Sequence, residues 1–176
     1  MNIVMGVLVV VCLAAAVVLF LALQKPDEFR VTRSIHLNAS PAIVFEQVND
    51  LEKGQAWSPW VAMEPQAKYE FSGPKSGEGA ALHWEGKKVG KGAMTIVESR
   101  PNESVRSRLD FYKPMEGTNT AEFTLTPEEE GTRLTWTMYG PNKFMGKVMS
   151  VFMNCEKMVG DQFDQGLSSL KKIVDQ

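Results

Sequence analysis

Residues 142–174, NKFMGKVMSVFMNCEKMVGDQFDQGLSSLKKIV, set the terms for reading the rest of the chain. Val148, Phe152, Cys155, Val159, Phe163, Leu167, Leu170 and Val174 recur at steps of three and four, the pattern of an apolar stripe on one long amphipathic helix. Such a helix needs an apolar surface to lie on. The stretch before it supplies one as successive short strands: KYEFS, GAALHWEGK, GKGAMTIVESR, SVRSRLDFY, NTAEFTLTPE and TRLTWTMYG. Their separators, GPKSGEG, Gly86 to Gly92, RPNE, KPMEG and PEEEG, are turn material. Connections this short join antiparallel neighbours, because a parallel crossover needs a dozen or more residues. Alternation turns Leu82 and Trp84, Met94 and Ile96, Leu109 and Phe111, Phe123 and Leu125, and Trp136 and Met138 to one side.

Upstream, FRVTRSIHLN (29–38) alternates Phe29, Val31, Ile35 and Leu37 with polar residues and reads as a further half-buried strand. NASPAIVFEQVNDL (38–51) follows as a helix, with Ser40 at the N-cap, Pro41 at the first helical position and an apolar stripe of Ile43, Val44, Val48 and Leu51. The expected architecture is α+β: a curved antiparallel sheet of about seven strands wrapped on a long C-terminal helix. A sheet bent that strongly can enclose a cavity suited to an apolar ligand.

QAWSPWVAMEP (55–65) joins the short helix to the second strand and holds two of the four tryptophans. Pro59 and Pro65 argue against a helix running through it. Trp57 and Trp60 then read as a plug between the short helices, the sheet and the Met-rich start of the last helix. Core filler, pocket lid and recognition platform all remain open for them.

Residues 3–23, IVMGVLVVVCLAAAVVLFLAL, carry no charge. As a helix they extend roughly 32 Å at about 1.5 Å per residue, matching a hydrocarbon core of about 30 Å. A cleaved signal peptide would have a basic segment first and a shorter apolar run. Neither holds here, so residues 1–24 read as a retained single-pass anchor, 25–28 as a linker and 29–176 as a soluble domain. Lys25, Arg30 and Arg33 follow the span and none precedes it, which places the domain on the cytoplasmic side.

The chain of 176 residues has a net charge of −2, and its bases are scattered among acids, which argues against a nucleic-acid surface. Cys12 and Cys155 lie too far apart in context for a disulfide framework. His36 and His83 form no metal spacing, so neither metal nor cofactor is expected.

SIHLNASPAIVFEQVND, WSPW, GEGAALHWEGKKVGKGAMTIVES, GTRLTWTMYG and MVGDQFDQGLSSLKKI, in this order and spacing, resemble the helix-grip superfamily. It comprises START lipid-transfer domains, Bet v 1-type proteins and polyketide cyclase/dehydrase-like proteins (SRPBCC), and the resemblance is nearest to bacterial members of the last group that follow one membrane span. It covers about residues 29–174 and implies the helix-grip fold. Carriers, sensors and enzymes share that scaffold, so the resemblance does not by itself fix a function.

No nucleophile–base pair stands out. Cys155 falls on the apolar stripe, while His36 and His83 fall on polar strand faces and read as solvated. Glu85 beside Trp84, Glu98 or Asp110 if a bulge shifts register, and Asp161 and Asp164 near the helix stripe become candidate general acids or bases only where burial raises the pKa. The glycine- and lysine-containing GKKVGKG precedes no helix and reads as a hairpin turn rather than a phosphate loop. Arg33, between Val31 and Ile35, either lies at a sheet edge with its head in water or pairs with a buried carboxylate. The run KFMGKVMSVFMNCEKM, with Met145, Met149, Met153 and Met158, reads as a segment buried on two sides, as an adaptable pocket wall or as a lipid-facing surface.

These readings converge on a membrane-anchored binding protein for a small hydrophobic or amphipathic, lipid-like ligand. Its expected site is Trp57, Trp60, Trp84, Met94, Phe111, Phe123, Trp136, Met138, Phe152 and Cys155, between sheet and last helix. The alternatives are a polyketide cyclase/dehydrase-type enzyme using an inward carboxylate, and a module at the membrane that binds no ligand.

Overall fold

The structure, a computed structural model, describes residues 2–176, with side chains from Val4 onward; Met1, the first residue of the expected anchor, lies outside the described set. Helix α1 (Asn2–Leu23) leads through a short linker into strand β1 (Glu28–Leu37). Three short helices follow: α2 (Pro41–Asn49), α3 (Leu51–Gly54) and α4 (Pro59–Met63). The strands are then β2 (Lys68–Ser72), β3 (Ala81–Glu85), β4 (Lys91–Arg100), β5 (Ser104–Lys113), β6 (Gly117–Glu128) and β7 (Gly131–Pro141). Helices α5 (Phe144–Phe152) and α6 (Cys155–Val174) close the chain.

All seven strands form one antiparallel sheet in the order β1-β7-β6-β5-β4-β3-β2, so β1 and β2 are its edges. The meander leaves only the β1–β7 pair to be closed over a distance, and it is closed in full register from Glu28 opposite Pro141 to Leu37 opposite Thr132. Register shifts between Lys91 and Gly92 and between Ile96 and Glu98 mark where β4 bends.

The single long helix expected over 142–174 is two helices. Met153 takes an extended conformation, and Asn154 caps α6 by accepting the Lys157 amide at 2.9 Å. An Asn side chain competes with the helical backbone for its own hydrogen bonds and is favoured at an N-cap for that reason. The three-four spacing runs on through the break in sequence but not in space: Phe152 leaves the stripe and is 70% exposed. The Trp-containing stretch departs from expectation in the opposite sense. Pro59 opens the one-turn helix α4 at a position where its missing N–H costs nothing, with Ser58 as N-cap.

Helix α6 lies on the inner face of the sheet, and its contact with β7 is a flat stack. The Trp136 and Phe163 rings are 4.0 Å apart and 3° from parallel. Trp57 meets Trp136 edge-on at 5.6 Å and Phe123 at 5.8 Å, and Trp60 meets Trp136 at 5.5 Å. Edge-on and offset contacts of this kind suit the ring quadrupoles. Gly166 makes the approach possible, because a Cβ there would stand 3.0 Å from Pro59 and 3.1 Å from Trp136. Gly166→Ala presses on two rigid neighbours and should cost about 1–3 kcal/mol. Denaturation of the full chain in mild detergent checks this, and an unchanged midpoint would show the α4–α6 contact to be loose.

Candidate functional site

The inner face of the sheet is not uniformly covered. One end, where β1 finishes and α6 ends, is tightly packed: Leu37, Val44, Ile96, Val105, Leu134 and Leu170 are buried. Toward the other end, where α1 joins β1, the inward positions open. Leu82 is buried but Trp84 only half-buried; Ile96 gives way to Met94, Val105 to Leu109 and Phe111, and Phe163 to Val159 and Cys155. A helix of twenty residues covers the middle and far end of the sheet and leaves the near end partly bare.

Three of the expected site residues meet at this open end. Trp84 lies across β4 at Gly92, where a Cβ would be 2.3 Å from its ring, and reaches Phe111 edge-on at 5.9 Å. Its indole N–H donates to the Val89 carbonyl at 3.2 Å. Met94 stands on the same strand as Gly92 and is half-buried. Tyr69, opposite Trp84 in register, joins them and donates its hydroxyl to the Glu64 carbonyl at 3.3 Å. Burial, and then the Glu64 carboxylate, hold that phenol above its usual pKa. Tyr69 was not among the expected site residues; the alternation of KYEFS is the signal that would have placed it inward.

The remaining expected residues separate into two groups. Trp57, Phe123, Trp136 and Met138 are core, and Trp60, half-buried, borders them. The space expected to be a cavity at mid-sheet is therefore occupied by rings. Trp60 meets Phe163 in the middle of α6 at 6.2 Å, while Trp57 packs on the sheet through Phe123 and Trp136. Within this cluster the Trp57 indole nitrogen is buried with no hydrogen-bond partner among the described residues. Phe152 points away from the sheet, and Cys155 stands half-buried at the first turn of α6. Shallow hollows lie at the packed end, lined by His36, Asn38–Pro41 and Pro127–Gly131.

The candidate acids and bases are engaged on the outer face. Glu85 pairs with Lys91, Glu98 bridges Arg100 and Arg106, and Asp110 accepts from Arg108 and Thr118. The bulge in β4 does not turn Glu98 inward. His36, expected in solvent, has Nδ1 2.6 Å from Glu128 and Nε2 3.2 Å from Asn38. His83 is exposed. Arg33 lies on edge strand β1 and crosses α6 where Gly160 leaves room, reaching Asp164 at 3.2 Å; Asp164 is itself exposed rather than buried. Asp161 pairs with Lys157 in solvent. No cluster of three or more metal-ligating side chains occurs among the described residues.

One structural residue escaped the sequence reading. The Glu64 carboxylate accepts the amides of Lys87, Lys88 and Val89 at 2.9, 2.7 and 3.1 Å and so fixes the β3–β4 turn that carries the Trp84 partner. Those amides hold its carboxyl below the ordinary glutamate range. The turn is thus closed by the chain's own carboxylate. A depressed folded-state pKa contributes stability above the unfolded value that is lost as pH falls through the folded value. Exchange protection of the Lys88 and Val89 amides should therefore persist at neutral pH, begin to weaken below about pH 4.3 and be lost only as the pH falls through the lower folded-state value. Glu64→Gln should flatten that profile; an identical profile in the variant would refute the clamp.

The half-open grip defines the class: a curved sheet on a C-terminal helix, the helix-grip arrangement of the SRPBCC superfamily. Within it the chain belongs to the family described as polyketide cyclase / dehydrase and lipid transport, which matches residues 28–175. A protein from Chromobacterium violaceum shares the fold at 19% identity and a TM-score of 0.60, covering 86% of this chain and 99% of its own. The Aha1 dimer from Colwellia psychrerythraea does so at 15% identity and 0.59, covering 84% and 96%. Ara h 8.0201 does so at 9% and 0.57, covering 84% and 97%. At such identities the likeness establishes the fold alone. No functionally curated protein matches the sequence.

Proposed function

We propose that this protein holds a small hydrophobic or amphipathic, lipid-like ligand at the open end of the grip while α1 keeps it in a membrane. The observation that carries the reading is the burial gradient. Trp84, Met94, Leu109 and Phe111 keep apolar surface in solvent on a face that is otherwise closed. A contiguous exposed apolar patch rimmed by polar residues marks a binding surface more often than an accident of packing. The family points to hydrophobic-ligand binding or cyclase/dehydrase-like chemistry. Of these, binding is favoured, because Glu85, Glu98 and Asp110 are each committed to a basic partner on the outer face.

A retained anchor is supported by what α1 touches. Ala22 is fully buried where α1 packs on α5; the linker after it is tied down separately, Asp27 to Lys147 and the Pro26 and Asp27 carbonyls to the N–H groups of Asn142. Removal of the span at its end would strip this contact from α5.

The test is native mass spectrometry and lipid extraction of residues 27–176, followed by thermal shift with a brominated fatty acid. A ligand at a hundredfold its Kd should stabilise the domain by about 2.7 kcal/mol. Phe111→Glu should abolish that shift, and because Phe111 is half-buried against Trp84, the unliganded midpoint of the variant separates lost binding from lost packing. Finding neither a bound species nor a shift across a panel of apolar ligands would sink the reading and leave an interaction module at the membrane.

A further inference from the structure

Helix α5 is amphipathic but is not packed on the sheet. None of its residues is buried, and its principal neighbour is α1. Phe144, Met145 and Phe152 within it, with Met153 and Met158 just beyond, are 41–70% exposed. In water this is an unexplained apolar surface. Its position relative to α1 supplies the explanation.

The residues of α1 that lose exposure are Val18 and Ala22, one turn apart, near the end of the apolar span Val4–Leu23. With α1 crossing a bilayer, a helix docked between Val18 and Leu23 lies roughly 7.5 Å inside the end of the span at about 1.5 Å per residue. Interfacial amphipathic helices bury their apolar face about 5–10 Å into the headgroup–acyl boundary. The depth set by α1 and the depth suited to α5 coincide.

Charge points the same way. Because β1 starts beside α1, the antiparallel order places the β3–β4 and β5–β6 turns and the approach to α5 at that same end of the sheet. Lys25, Lys87, Lys88, Lys113 and Lys143 lie there without an ion pair among the described residues; Asp27, Glu28, Glu64 and Glu85 at that end are engaged, leaving Glu116 and, in the first turn of α6, Glu156. Acidic residues gather at the opposite end, in Glu128–Glu130 and Asp175. Lysines close to a bilayer surface are attracted to anionic headgroups.

We propose that α5 lies in the headgroup–acyl boundary of the membrane that α1 crosses, with the lysine rim on anionic headgroups. The open end of the grip, with Trp84 and Phe111, then faces lipid rather than bulk water. This rests on the reading of α1 as a retained span.

The test uses the full chain with Cys12→Ser and Cys155→Ser, reconstituted in vesicles of phosphatidylcholine and phosphatidylglycerol. Single cysteines replace Val10, Met145, Phe152 or Glu129 and carry an environment-sensitive NBD label. Labels at 145 and 152 should shift to the blue and be quenched by acyl-chain doxyl lipid, while the label at 129 stays water-like. Phe152→Asp should cause loss of the quenching at 145, and phosphatidylcholine alone should weaken it. A quenched label at 10 with water-like labels at 145 and 152 would overturn the proposal and leave the anchor standing. An unquenched label at 10 would instead remove the anchor and the proposal with it. Blue-shifted α5 labels that lipid does not quench, but that crosslink between chains, would assign the face to a second copy and overturn the proposal equally.

Discussion

The stack of Trp136 on Phe163 fixes where α6 can sit. Two large rings in parallel contact at 4.0 Å tolerate little sliding, and Gly166 brings the helix close enough to make the contact. Trp57 and Trp60 then fit edge-on around the pair, so the short helices take their place from it as well. With α6 pinned over β7 and its last turn tied to Asn38 and His36 through Asp175 and Lys171, its first turn falls short of the far strands. The uncovered strip on β3, β4 and β5 follows from that placement. A twenty-residue helix spans about 30 Å, too little to shield seven strands that diverge as they twist.

Most of the architecture was legible in the sequence. Period-two alternation and turn-rich separators mark every strand, because an antiparallel sheet with one solvated face writes its orientation into each residue. The long helix was legible in composition but not in continuity. The apolar step of three and four survives the break at Met153 and Asn154, since a periodic pattern records which residues are apolar and not whether they share one axis. Phe152 was assigned to the interior for that reason, yet it ends α5 as the most exposed phenylalanine among the described residues.

The site was less legible, and the causes are physical. Whether an inward aromatic is covered depends on helix placement, a long-range matter that alternation does not encode. Trp84 and Trp136 both read as inward; one is half open and the other sealed beneath Phe163. Glu64 was missed because its role lies in accepting backbone amides from a turn more than twenty residues away. His36 was misjudged in a similar way: a polar strand face still packs against its neighbour, and Glu128 reaches it from the β6–β7 turn.

Strand β1 is an edge of ten residues, long enough to template pairing with another chain. Its N-terminal end adjoins α1, so with α1 in a bilayer every copy sends this strand away from the same surface. Two copies meeting side by side would present their β1 edges running in the same direction, and an antiparallel pair would require one molecule to be upside down. With α1 as the span proposed above, attachment would do more than localise the domain: it would remove the more stable mode of edge-to-edge assembly by orientation alone.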